Sequence, residues 1–197
     1  MIAGIDYSLT SPGVCVCTSD MFSYDNCDLF FLSNRKFHDG SFGNITGFPY
    51  PDSYTTDEQR YDILSNWTMT ILNQYDITHV YIEGYAYNAT GQVFNIAENT
   101  GVLKHKLHKA GIPFTVIAPT VVKKLATGKG NANKELIYES FLNETSCDIK
   151  DTLSPKQKKV GNPTSDLVDA FYICKFGYLQ GSSAEVPVDP VCSQTHS

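Results

Sequence analysis

Short apolar runs open the chain, and apolar residues return at helical spacing further on. Ile2-Ala3-Gly4-Ile5-Asp6 and His79-Val80-Tyr81-Ile82-Glu83 are rich in β-branched or aromatic residues, are followed by turn formers, and read as buried strands. Strands are expected at 2–7, 13–18, near 28–37, 79–83 and 113–117, with a polar, turn-rich stretch from 37 to about 56. Helices are expected at 57–75, 92–110, 119–126, 132–143 and 164–180, with a loop from Thr145 to Asn162. Ile63, Leu64, Trp67, Ile71 and Leu72 form the buried stripe of the first helix. Three early strands followed by alternating helices and strands predict an α/β fold, a mixed five-stranded sheet with helices on both faces. Antiparallel opening strands and later parallel ones would set Asp6 and Glu83 on adjacent strands. One domain, 1–180, is expected, followed by a loose tail at 181–197 rich in Ser, Pro and Val.

Both buried runs end in an acid. An isolated carboxylate at the end of a buried strand is costly to desolvate unless something positive meets it. Hard divalent cations are a simple remedy, because they take oxygen ligands and often use only one or two carboxylates, completed by water and substrate phosphate. Two further acids, Asp166 and Asp169, are three apart at the start of the last helix, on one face beside the stripe Leu167, Ala170, Phe171 and Cys174. Taken alone, Asp166 fits ordinary first-turn chemistry with Thr164 or Ser165 as N-cap. A lone strand-end acid is usually a turn residue. All four acids in this order point instead to a two-metal nuclease site, in which paired ions clamp the attacking and leaving oxygens of an in-line displacement at phosphorus.

Net charge is −6, which at first sight disfavours a nucleic-acid enzyme, but the charge is segregated. Residues 104–160 hold eleven lysines against five acids, whereas residues 1–103 hold three Arg/Lys against twelve acids. Such a basic segment suits a phosphate backbone. Lys104, Lys106 and Lys109 fit a solvated helical face equally well. Lys123, Lys124, Lys129 and Lys134 surround Gly128 and Gly130, where glycine lets backbone approach phosphate and lysine supplies a point charge. Tyr85 and Tyr87, with Phe94, follow Glu83 and could stack on unpaired bases, although such side chains are commonly core. The six cysteines show no zinc spacing and read as free thiols. No run has the apolar length of a membrane helix, and the N-terminus lacks a signal-peptide pattern, so an intracellular, cytoplasmic location with no membrane partner is expected.

Several stretches resemble RuvC-type Holliday junction resolvases of the RNase H-like superfamily. Gly4-Ile5-Asp6-Tyr7-Ser8-Leu9-Thr10-Ser11-Pro12-Gly13-Val14 is similar to that family's opening strand and turn, and Ile82-Glu83 to its central acidic strand end. Asn95 to Val102 resembles the helix that follows. Val122-Lys123-Lys124-Leu125-Ala126-Thr127-Gly128-Lys129-Gly130-Asn131-Ala132-Asn133-Lys134-Glu135 is the most specific piece, and Asp166-Leu167-Val168-Asp169-Ala170 completes the set. The resemblance implies an RNase H-like fold to about Tyr178, a metal-binding catalytic quartet of Asp6, Glu83, Asp166 and Asp169, and Lys123 and Lys134 as positively charged residues that engage substrate. It further implies two Mg²⁺ per active site with Mn²⁺ as a substitute, 5′-phosphate products, and a homodimer that cuts four-way junctions symmetrically. Tyr7 stands where the family usually has proline, and Tyr85-Ala86-Tyr87 does not reproduce its usual aromatic spacing. The divergent stretch from Asp20 to Gln59 suggests a phage or viral branch, for which the cytoplasm would be the host's.

The expected activity is therefore that of a metal-dependent, structure-selective endodeoxyribonuclease resolving branched DNA. An RNase H-like nuclease of other branched or duplex specificity, or a non-catalytic nucleic-acid-binding module on the same fold, are the alternatives. An actin-like sugar kinase would need a second domain for which the chain lacks length, and Gly128-Lys129-Gly130 lacks the Walker spacing.

Overall fold

The computed structural model describes residues 1–84 and 93–183. Among these residues seven strands form one sheet: β1 (Ile2–Asp6), β2 (Gly13–Cys17), β3 (Cys27–Ser33), β4 (Gly40–Phe42), β5 (Ile45–Pro49), β6 (His79–Glu83) and β7 (Phe114–Ile117). Their spatial order is β4-β5-β3-β2-β1-β6-β7. The strands β1, β2 and β3 pair antiparallel in turn, while β6 joins β1 and β7 joins β6 in parallel. As the sequence predicts, the ends of β1 and β6 are neighbours, with Ile5 opposite Ile82 one residue before the two acids.

The expected count of five strands is corrected to seven, because the stretch read as polar turns contains β4 and β5. Both are short, and β5 lies parallel to β3. Gly47 in β5 weakens any strand signal, yet it is required there, since a Cβ would strike the backbone carbonyl of His38. The third strand likewise stops at Ser33 instead of near 37, where a short 3₁₀ turn at Lys36–His38 takes over.

Among the described residues six helices accompany the sheet: α1 (Asp57–Leu72), α2 (Val93–Lys109), α3 (Pro119–Thr127), α4 (Lys134–Thr145), α5 (Ile149–Leu153) and α6 (Thr164–Ser183). The one-turn α5 falls in the segment expected to be loop, and α6 runs three residues beyond 180. Thr56 caps α1 by accepting from Gln59 N. In α1 the buried set is Tyr61, Leu64, Ser65, Thr68, Ile71 and Leu72, with Ile63 and Trp67 only half-buried. Ser65 and Thr68 are tolerated inside because their hydroxyls donate to the carbonyls of Tyr61 and Leu64 one turn back.

Period-two alternation divides the core in two. Ala3, Ile5, Val80 and Ile82 face one side, where Leu64, Leu72, Leu103 and Leu107 of α1 and α2 close the layer. Cys15, Cys17, Tyr81 and the first half of α6 form the other layer, together with Ile137 and Phe141 of α4. Residues 167–168 and 170–174 of α6 are all buried, a wider surface than the single stripe the sequence suggests. The sheet lies beneath the helix, and α3, α4 and α5 pack against it too. Cys15, Cys17, Cys27, Cys147 and Cys174 are free thiols.

Candidate active site

Asp6 and Glu83 follow, by alternation, the face that β1 and β6 turn toward α6. That helix lies unusually close to the sheet because two glycines admit it. A Cβ on Gly4 would run into the backbone of Ala170 and Cys174, and one on Gly13 would sit 2.7 Å from the carbonyl oxygen of Asp166. The first turn of α6 is thereby pressed against the carboxyl ends of the central strands. Asp6, Glu83, Asp166 and Asp169 line one cleft of about 620 Å³, so four acids distant in sequence are brought together.

The remaining walls come from Ser8, Leu9 and Thr10 of the β1–β2 turn, Ile96 and Thr100 of α2, and the α3–α4 region. Lys123 and Lys134 also line the cleft. Lys124 and Lys129 are exposed and lie outside its lining. The turn carrying these lysines is fixed: Gly128 adopts φ 76° as the left-handed cap of α3, and Lys129 N donates to Thr127 Oγ1 at 3.1 Å. Asn133 then caps α4 by accepting from Leu136 N at 2.9 Å. Lys106, outside the cleft, is engaged by Asp62 at 2.6 Å, in keeping with an ordinary helical face. Tyr85 and Tyr87 fall outside the described residues, and Phe94 is 76% exposed at the start of α2.

Burial and mutual repulsion dominate the electrostatics. Desolvation, then the charges of Asp166, Glu83 and Asp169, hold the Asp6 carboxyl well above the usual carboxylate range. Burial chiefly pushes Glu83 up to about 8, reinforced by Asp169 and opposed by Lys123. Asp169 rises to about 7 through burial and Asp166, and Asp166 to about 6 through burial against the pull of Lys134. No arginine or lysine salt bridge neutralises any of the four among the described residues. Asp166 is 4% exposed, and its Oδ2 has no hydrogen-bond partner.

Such a cluster suits hard divalent cations: oxygen donors are in excess, two lysines offset only part of the charge, and a buried carboxylate oxygen is left bare. Among the described residues no three Asp, Glu, His or Cys side chains are drawn together as a closed cage. Open spacing is natural for repelling carboxylates and agrees with ions that keep water and phosphate among their ligands.

Sequence reasoning missed the polar support behind the acids. Ser165, weighed only as a helix cap, lies 3.2 Å from Asp166 Oδ1 through its Oγ, and Lys134 Nζ reaches that hydroxyl at 3.0 Å. Asn162 accepts from the same lysine at 3.4 Å. Only the adjacency of Ser165 to Asp166 hinted at this, since Lys134 is 31 residues away along the chain.

The sequence model of the family described as crossover junction endodeoxyribonuclease RuvC matches residues 52–158, just over half of the chain. Among curated proteins, none matches. Among solved structures, Thermus thermophilus RuvC in complex with a Holliday junction substrate aligns with TM-score 0.60 and 16% identity, over 92% of this chain and 96% of that one. The yeast mitochondrial Holliday junction resolvase aligns with TM-score 0.51 and 12% identity, covering 91% and 80%. Fowlpox virus resolvase, solved with Holliday junction DNA, gives TM-score 0.51 and 13% identity over 91% and 99%. These likenesses establish the RNase H-like fold. With the acid cleft and the matched segment taken together, the chain belongs to the RuvC family of crossover junction endodeoxyribonucleases, structure-selective nucleases of branched DNA.

Proposed function

We propose that this protein resolves four-way DNA junctions by metal-dependent hydrolysis of one phosphodiester per active site, with Asp6, Glu83, Asp166 and Asp169 as the metal-holding residues. The observation that carries this reading is the convergence of four unneutralised carboxylates from β1, β6 and α6 on one cleft beside two lysines. Mg²⁺ is the fitting ion and Mn²⁺ its substitute, given an all-oxygen donor set. When bound, such ions supply an activated water and stabilise the leaving oxygen.

The protein's own residues do the rest. Asp6 and Glu83 present oxygens from the carboxyl ends of two adjacent inner strands, and Asp166 and Asp169 from the first turn of α6, so the donor positions are set by the sheet–helix packing. Lys123 and Lys134 offset part of the negative charge of the cleft and attract the phosphate being cut. Lys124 and Lys129, exposed on the fixed α3–α4 turn, extend the basic surface along the backbone of the substrate. Tyr85 and Tyr87 follow Glu83 in the chain and are assigned to unpaired bases at the branch. Symmetric cutting of both strands calls for two clefts, which a homodimer supplies. An intracellular location fits a substrate of recombining DNA.

Labelled four-way junction, flap and linear duplex, each offered with Mg²⁺, Mn²⁺ or chelator, test the assignment. Paired cuts in the junction alone, lost with chelator and in Asp6→Asn, are expected. Equal cutting of linear duplex would remove the junction specificity, and undiminished cutting by Asp6→Asn would remove the quartet.

A further inference from the structure

The carboxylate of Asp166 is held asymmetrically. Its Oδ1 faces Ser165 Oγ at 3.2 Å, whereas Oδ2 is buried without a partner. Ser165 is itself 4% exposed, so water does not compete freely for its hydroxyl. Three groups meet at that oxygen: Lys134 Nζ at 3.0 Å, Asn162 Oδ1 at 3.1 Å and Asp166 Oδ1. A hydroxyl has one proton to give, and an ammonium has three. Lys134 donates to both Ser165 Oγ and Asn162 Oδ1, which leaves the Ser165 proton for the ionised acceptor, the stronger of its two options.

Ser11, in the β1–β2 turn, adds to the picture. Its hydroxyl is buried and, like Asp166 Oδ2, has no hydrogen-bond partner among the described residues. The carboxylate thus has one oxygen satisfied by protein and one left bare. Unpaired buried oxygens of this kind are uncommon in folded proteins and call for a ligand.

We propose that Ser165 is a positioning residue which accepts a hydrogen bond from Lys134, donates one to Asp166 Oδ1, and so reserves Asp166 Oδ2 for a divalent cation. The inference deepens the metal reading above and rests on it. Outer partners of metal-holding carboxylates fix the orientation of the ligand oxygen, and removing one typically weakens metal affinity about 10- to 100-fold. A purely electrostatic role for Lys134 makes a different forecast. Its charge stays in place when Ser165 is changed, so cation binding would then be unaltered.

Binding of Mn²⁺ to the DNA-free protein, read from the loss of the free-ion electron paramagnetic resonance signal, separates these cases without recourse to activity. Ser165→Ala is expected to weaken Mn²⁺ about tenfold, and Ser165→Thr, which keeps the hydroxyl, to stay within about threefold of the parent. Ser165→Cys fills similar space with a poor hydrogen-bond donor and is expected to follow alanine. Melting temperatures in chelator identify any variant whose fold is weakened, and the cysteine variant decides the matter if alanine leaves a damaging void. Parent-like affinity in Ser165→Ala or Ser165→Cys would overturn the positioning role while leaving the quartet intact. No Mn²⁺ uptake by the parent, or undiminished uptake by Asp6→Asn, would instead overturn the metal reading and this inference together.

Discussion

The two faces of the central strands are made from alternate residues of the same few segments and are put to opposite uses. Toward α1 and α2, Ala3, Ile5, Val80 and Ile82 meet leucines, and Tyr7 continues the β1 face as buried apolar surface. Toward α6, Ile2, Gly4 and Tyr81 begin in apolar contact, and the next positions of the same face are Asp6 and Glu83. One layer supplies stability throughout its length. Its counterpart gives up stability at one end, where four carboxylates crowd and Lys123 and Lys134 offset only part of their charge. A slip of one residue in β1 would exchange the two roles, which is why the buried layer beneath α1 and α2 also fixes the site.

Asp6→Asn should break the comparison most sharply. Cleavage is expected to fall by at least about 10³-fold, equivalent to roughly 4 kcal/mol of barrier. Melting in chelator should nevertheless rise, because one repelling charge is gone; a lower melting temperature would contradict the crowding. On the opposite layer, Leu103→Ala should cost about 2–5 kcal/mol in urea unfolding, as for other core truncations. Its cleavage per folded molecule should stay near that of the parent. Gly4→Ala joins the two layers' fates: forcing α6 away should cost about 1–3 kcal/mol or more and abolish cleavage as well.

pH offers a milder probe. The acids of the cleft are raised in the fold, Asp166 to about 6, Asp169 to about 7 and Glu83 to about 8, so the native state binds more protons than the unfolded chain across that interval. Stability contributed by these groups is therefore greatest below their unfolded values near 4 and declines as pH climbs toward 8. In chelator the melting temperature should fall over this window, and Mg²⁺ should flatten the decline. The smallest effect is expected for Lys124→Gln, on the exposed turn. The slope of log affinity for a four-way junction against log salt should lessen by about 0.9, with little change in cleavage at saturating DNA.

Legibility in the sequence followed burial and length. β1 and β6 could be read because each side is covered and both runs are continuous, and their terminal acids stood out against that background. β4 and β5 escaped because three- and five-residue strands containing Gly40 and Gly47 lack enough alternation to register. α5 escaped for a similar reason, its five residues being held by the Asp148 cap instead of by a long apolar stripe. At the site the four acids were legible as residue types in a familiar order. The bonds joining Ser165, Asn162 and Lys134 were not, since they depend on how α4 meets the start of α6.

The acids enter the cleft from segments far apart in the sequence, Asp6 from β1 and Asp166 and Asp169 from α6. During synthesis, a nascent polypeptide that has reached residue 160 holds only Asp6 and Glu83, and the groove framed by Gly4 and Gly13 still lacks its helix. The four-acid cleft is therefore complete only once α6 is made and docks against Gly4 and Gly13. Completion of the cleft is thus tied to completion of the fold, and on the proposed reading a chain truncated before α6 should take up no Mn²⁺.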